Sequence, residues 1–319
     1  MSNKILAKTL KDLESLVLIG GIIGLVILFS AFEPRFLSLE NIRIILETMS
    51  VLAILALGLN LLLIIGEIDI SFTSVLEFSA SIVALINSYW HLNTFLTILF
   101  ALLGAVAVGI ANGMFVVKLR IPSFLVTLAS QAIVGGIVLI ICNYRAVLIS
   151  NQAFLNIFYG RPLGNVAASV YWMFFITFCL WFLLTKMKIG KWAFATGGNE
   201  EAARLMGIPT ARVKLLFFIL NGCLAGVAGF ILGSRAMSAR PLMSTGYLMP
   251  AMAAPIMGGA SLNGGEGSVP KTFLAVFLLS IITNGVSLLG LEPAYRDILM
   301  GTILVTALSI RQLRSLAIL

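Results

Sequence analysis

Few residues in this sequence carry side chains able to do chemistry, and most of those stand in oily surroundings. Gly66-Glu67-Ile68-Asp69-Ile70-Ser71 sets two carboxylates beside a glycine, with Glu77 a short way on. Carboxylates at membrane depth serve proton or ion relays. These three gather toward one end of an apolar run, not at its middle, which argues for a structural or interfacial role. Asn60, Asn112, Asn221 and Asn284 each lie inside an apolar run. A buried amide is costly unless paired, so each either bonds to a neighbouring helix, the commoner use, or lines a path for a polar solute. The candidate path or gate residues are therefore Asn60, Gly66, Asp69, Ser71, Asn112, Asn221 and Asn284.

Other chemistry has little support. His91 is the one histidine and has no second ligand near it, so no metal site is expected. Cys142, Cys179 and Cys223 lack ligand spacing and read as small apolar residues. Gly265, four residues, then Pro270-Lys271-Thr272 imitates a phosphate-binding loop. Proline replaces the glycine that lets the backbone fold round phosphate, and no strand precedes it. The chain is expected neither to hydrolyse ATP nor to be an enzyme.

The elements that must position these residues are membrane spans. Hydrophobic residues make up 60% of the 319 and charged residues 11%, against about a quarter charged in soluble domains; mean hydropathy is +1.08. The net charge of +8 comes from basic residues scattered at the ends of apolar runs, not clustered on one face, which excludes nucleic-acid binding. Ten runs are long enough to span: 15–32, 48–66, 71–90, 92–117, 121–144, 162–185, 215–234, 241–265, 272–291 and 293–310. The first has the basic start of a signal peptide but no small-residue cleavage site, and is expected to be retained. With the N-terminal segment 1–14 inside, fourteen of the 21 Lys and Arg fall on cytoplasmic connections. Arg35, Arg43, Arg145, Arg161, Arg235, Arg240 and Arg296 fall outside. That bias supports cytoplasmic N- and C-termini. The whole of 1–319 reads as one transmembrane domain.

Two of the runs meet glycine-rich breaks, at 66–71 and 258–268, which are either gates or hinges or ordinary surface turns. Irregular backbone at membrane depth is tolerated only where protein or a water-filled path covers it. Between the basic residues of the loop 186–214 lies a polar island from Ala195 to Pro209. It predicts a helix of about two turns. Asn199 is a natural N-cap, Glu200 and Glu201 complement the helix dipole, Gly207 can end the helix, and Pro209 blocks its continuation. So short a helix cannot stand alone, and it is presented to a cytoplasmic partner.

These motifs resemble the membrane permeases of ribose-type ATP-binding-cassette importers, which include those for ribose, xylose, galactose and the furanosyl autoinducer. Residues 66–71 are similar to G-G-I-D-L-S, departing at Glu67. Residues 121–128, IPSFLVTL, resemble I-P-x-F-I-V-T-L. Residues 197–208 resemble G-G-N-x-x-A-A-R-L-x-G-I, and 258–268 resemble G-G-x-S-L-x-G-G-x-G-S. The resemblance covers nearly the whole chain. It implies an all-α integral membrane protein of the type II importer fold, with about ten transmembrane helices, some broken or half-length. It further implies a second permease subunit, identical or paralogous, a cytoplasmic ATPase that binds the ATP and magnesium, a periplasmic sugar-binding protein, and a bacterial inner membrane. No cofactor of its own is expected. Asn199, Glu200, Glu201, Ala202, Ala203, Arg204, Leu205, Met206 and Gly207 would form the helix that couples to the ATPase, with Glu200, Glu201 and Arg204 as rim charges. Ala202, Ala203, Leu205 and Met206 would supply the packed contact. The external arginines would meet acidic residues of the binding protein. An ion-coupled transporter or a passive channel is the rival class.

Overall fold

The computed structural model describes residues 2–317. In chain order its helices are α1 (Ser2–Phe32), α2 (Leu39–Ile64), α3 (Phe72–Leu85), α4 (Thr94–Leu119), α5 (Ser123–Ile141), α6 (Gln152–Phe158), α7 (Ala168–Lys186), α8 (Lys188–Gly198), α9 (Glu200–Leu205), α10 (Thr210–Ala236), α11 (Leu248–Met257), α12 (Val269–Leu288) and α13 (Pro293–Ala317). One two-residue antiparallel ribbon joins β1 (Val147–Leu148) to β2 (Ser238–Ala239). The fold is all-α. The charges expected at Lys4, Lys8, Lys11, Arg311 and Arg314 are on side chains outside those described.

Local sequence sets several helix starts. Ser38, Asn93 and Asn151 take extended backbone and accept from Asn41, Leu96 and Phe154 N–H groups, capping α2, α4 and α6. Among the described residues seven helices are long and apolar enough to span: α2, α3 with its π-helical extension to Trp90, α4, α5, α7, α10 and α12. Leu18–Phe32 of α1 and all of α11 are shorter apolar helices. The tenth apolar run falls on α13.

One span is corrected. The uncharged run 241–265 reads as a full crossing, yet only the ten residues of α11 are helical, about 15 Å or half a hydrocarbon core. Pro255 withholds a backbone donor inside that helix, and Gly259, Gly264 and Gly265 follow with φ of 87°, 85° and 77°, conformations that end it. The chain there is irregular, so it must be covered by protein or line a water-filled path.

Burial separates helices of similar hydropathy. In α2, 83% of the apolar stretch is buried inside the protein, against 22% in α4 and 17% in α5. Thus α2 runs through the middle, while α4 and α5 turn Phe95, Phe115, Phe124 and Ile133 outward, the surface expected to meet lipid. Helix α10 lies against α2, α3 and α4. A Cβ on Gly109 would lie 2.6 Å from the Phe218 carbonyl oxygen, and one on Gly222 would lie 2.8 Å from that of Ala105. Small residues let these backbones cross closely, as in membrane helix pairs.

Connections expected on one side of the membrane do meet at one end. At the first end, β1 pairs with β2, Ser88 donates to the Leu148 carbonyl, and the Arg296 guanidinium lies beside Gly246. At the second, residues 65–71, 196–200 and 264–265 come together with the starts of α5 and α10.

Candidate functional site

Helix α9 is built by its caps. Asn199 Oδ1 accepts from the Ala202 N–H at 2.9 Å, Glu200 and Glu201 occupy the first turn, and Gly207 turns the chain at φ 80°. Ile208 N–H then donates back to the Ala203 carbonyl at 3.0 Å, the hydrogen-bonding pattern of a glycine-terminated helix. Of its side chains only Ala203 is buried, so Ala203 packs against its own chain and presents nothing outward. Leu205 and Met206 are 84% and 72% exposed. Glu201 and Arg204 are exposed as well, and Ala202 is half-buried.

Behind α9 three connections cross. Ile64, the last residue of α2, accepts from Gly265 N–H at 2.9 Å. A Cβ on Gly197 would strike the Ile64 carbonyl oxygen and come within 2.6 Å of Gly265 N. One on Gly265 would lie 2.9 Å from Gly198 Cα. The glycine-rich breaks at 66–71 and 258–268 therefore sit directly under the loop that carries α9.

The break at 66–71 leads into a buried polar junction. Asp69 Oδ1 accepts from Ser71 N at 2.7 Å and Ser71 Oγ at 2.6 Å, and Oδ2 accepts from Asn221 Nδ2 of α10 at 2.8 Å. Asn112 Nδ2 of α4 donates to Ser71 Oγ at 2.9 Å. The N–H of Ile68 donates to Ser123 Oγ at the start of α5, 3.1 Å away. One short segment thereby ties α3, α4, α5 and α10. Asp69, Ser71, Asn112 and Asn221 are all under 3% exposed, so every donor must find an acceptor inside.

The remaining candidates lie elsewhere. Gly66 takes φ 76° at the end of α2. Asn60, one turn before the last residue of α2, is wholly buried, and neither atom of its amide has a hydrogen-bond partner among the described residues. Asn284 of α12 exchanges two hydrogen bonds with Asn41 of α2, at 3.0 and 2.9 Å. Glu77 does not join Glu67 and Asp69 as expected: α3 carries it away, and its Oε1 accepts from Ser244 N and Oγ at 2.9 and 2.6 Å. Truncating Asn284 to alanine should lower stability by about 1–2 kcal/mol, because the buried Asn41 Oδ1 is left unpaired while its Nδ2 keeps only the Phe36 carbonyl. Replacing both asparagines by leucine should recover most of that loss in thermal unfolding in detergent.

Two partners carried no usable signal in the sequence. Lys214, which reads as one more flanking positive charge, places Nζ 2.7 Å from Glu67 Oε1 and 2.7 Å from Glu200 Oε2. Glu47, inside α2, is met by the Tyr159 hydroxyl at 2.7 Å, with Arg161 Nη2 3.6 Å from its other oxygen. Both contacts join residues far apart in the chain.

A helical array with a half-length helix, covered glycine breaks and a capped helix exposed at one end is the architecture of a multi-pass membrane permease. The chain belongs to the family described as the permease component of branched-chain amino acid transport systems, whose model matches residues 41–308. It is 32% identical over 287 residues to the ribose import permease of Escherichia coli strain K12, covering 89% of each chain. It is 32% identical to the ribose import permease of Bacillus subtilis, covering 92% of each. The L-arabinose ABC transporter permease of Azospirillum brasilense is also 32% identical, over 92% of this chain and 87% of that one. An inward-facing ABC transporter described as of metal-chelate type superimposes with a TM-score of 0.53 over 93% of this chain and 97% of that one. At 16% identity that likeness is one of fold.

Proposed function

We propose that this chain is the permease subunit of an ABC importer in a bacterial inner membrane, passing a ribose-like pentose or related monosaccharide. A periplasmic binding protein delivers the sugar at the first end, where Arg35, Arg145, Arg161 and Arg240 are exposed and Arg235 is half-buried. A cytoplasmic ATPase, holding the ATP and magnesium, engages α9 through Leu205, Met206 and the rim charges. Two permease subunits enclose the path, and both termini face the cytoplasm. The chain itself needs no cofactor and catalyses no reaction; it must only bind its partners differently in two states.

The observation that carries this reading is α9 itself, a six-residue helix capped at both ends that exposes Leu205 and the adjoining Met206, while Gly197 and Gly198 just before it press on Ile64, Gly264 and Gly265. Exposed apolar side chains on so short a helix gain stability from a partner. The pentose assignment draws on the ribose and arabinose relatives. Autoinducer import by the same machinery fits the same observations. An ion-coupled transporter fits them less well, because Glu67 and Asp69 are already engaged by Lys214, Ser71 and Asn221.

Co-purification from the native host in mild detergent tests the reading. An ATPase subunit is expected to accompany the chain, and Leu205→Asp with Met206→Asp should cut its recovery about tenfold or more, as removal of interface anchors does, with the amount of permease unchanged. A chain that emerges alone while known complexes survive would bring ion-coupled transport to the front.

A further inference from the structure

Helix α9 has little to pull on. Ala203 is its only buried side chain, and among the described residues the ion pair that ties it to a span is Glu200–Lys214 at 2.7 Å. Lys214 sits in the first turns of α10 with its side chain 16% exposed, and its second carboxylate, Glu67, is 10% exposed. An ammonium held at 2.7 Å by two carboxylates makes short, charge-assisted bonds, and with solvent largely excluded on the Glu67 side the attraction is screened less than at the surface. Glu67 in turn is anchored: its N–H donates to the Leu62 carbonyl at 2.9 Å. The next residue, Ile68, donates to Ser123 of α5, and the one after, Asp69, accepts from Asn221 of α10.

We propose that Lys214 is the positioning residue through which displacement of α9 reaches the break between α2 and α3, by holding Glu200 and Glu67 on one ammonium. The inference rests on α9 being the ATPase-coupling element. A link that carries motion both ways must hold under pull as well as push; van der Waals contact at Ala203 resists only compression, whereas the ion pairs resist separation. Arg204 and Arg212 are exposed and take no part. The trio joins a half-exposed acid on the moving helix to a buried acid on the break, so loss of either pair leaves both halves folded but disconnected.

The test uses the permease with its ATPase, purified together, in vesicles. Cys142, Cys179 and Cys223 are replaced by alanine, and Ile68→Cys supplies one reporter thiol in the break. Its labelling rate is compared without nucleotide and with ATP plus vanadate. In the Lys214 protein the two rates should differ by about tenfold, the ordinary size of coupling between sites. Lys214→Met should keep ATPase recovery and ATP hydrolysis while the difference falls below about twofold, and Lys214→Arg should restore it. Glu67→Ala, which removes the acceptor and leaves the Lys214–Glu200 pair intact, should show the same loss and serves if Lys214→Met does not fold. An undiminished difference in either folded variant overturns the role of Lys214 and leaves the coupling reading standing. Absence of the ATPase from the parent preparation, by contrast, removes the coupling reading and this inference with it.

Discussion

Gly197→Val is expected to abolish transport and to give the largest loss of stability of any single substitution in the loop 186–214. The added side chain would enter between the Ile64 carbonyl oxygen and Gly265 N, two groups bonded to each other at 2.9 Å. Both are backbone, so neither can swing aside by changing rotamer. Overpacking of this kind costs up to about 3 kcal/mol, and a separated buried backbone pair adds about 1–3 kcal/mol. The neighbouring Gly198→Ala is the control, since a Cβ there meets nothing within 4 Å. Thermal unfolding in detergent should show a large fall for the first and little for the second. Equal midpoints for Gly197→Val and the parent would mean that the three connections do not cross tightly.

Asp69→Ala should be the next most damaging change. It strands three donors at once: Ser71 N–H, the Ser71 hydroxyl and the Asn221 amide. At about 1–3 kcal/mol for each buried group left unpaired, with the hydroxyl free to turn elsewhere, the loss is about 4 kcal/mol. Asp69→Asn keeps one acceptor oxygen but turns a donor toward another donor, and should lose roughly half as much. Asn112→Ala removes only the outer bond to Ser71 and should cost about 1 kcal/mol. That ranking, read from unfolding midpoints and detergent-soluble yield, is the signature of one shared acceptor. Equal losses for all three variants would instead indicate ordinary packing.

The capped helix shows why some features were legible in advance. Asn199, Glu200, Glu201 and Gly207 act within one turn of their own positions, so the N-cap bond and the left-handed turn at Gly207 follow from residue type alone. The apolar runs were legible for the same reason, because crossing a membrane depends on length and hydropathy. The half-length α11 was not: 241–265 carries no charge, and hydropathy does not register that Pro255 and three left-handed glycines break its backbone. Among the asparagines, residue type placed them in the membrane but left their partners open. Asn284 meets Asn41 and Asn221 meets Asp69 only because α12 and α10 pack beside distant parts of the chain.

From the sequence by itself came the membrane class, the positions of most spans, the alternation of their connections and the capped helix, all of which depend on interactions within a few residues. Only the tertiary structure decided that α2 is central while the equally oily α4 and α5 face outward, and that the two glycine breaks meet under α9. It also decided that Lys214 stands between Glu67 and Glu200. The physical reason is common to all three: hydrophobicity is non-directional, so it drives helices into the membrane without choosing their neighbours. Neighbours are chosen by close backbone approach at small residues and by pairing of buried polar groups across long separations.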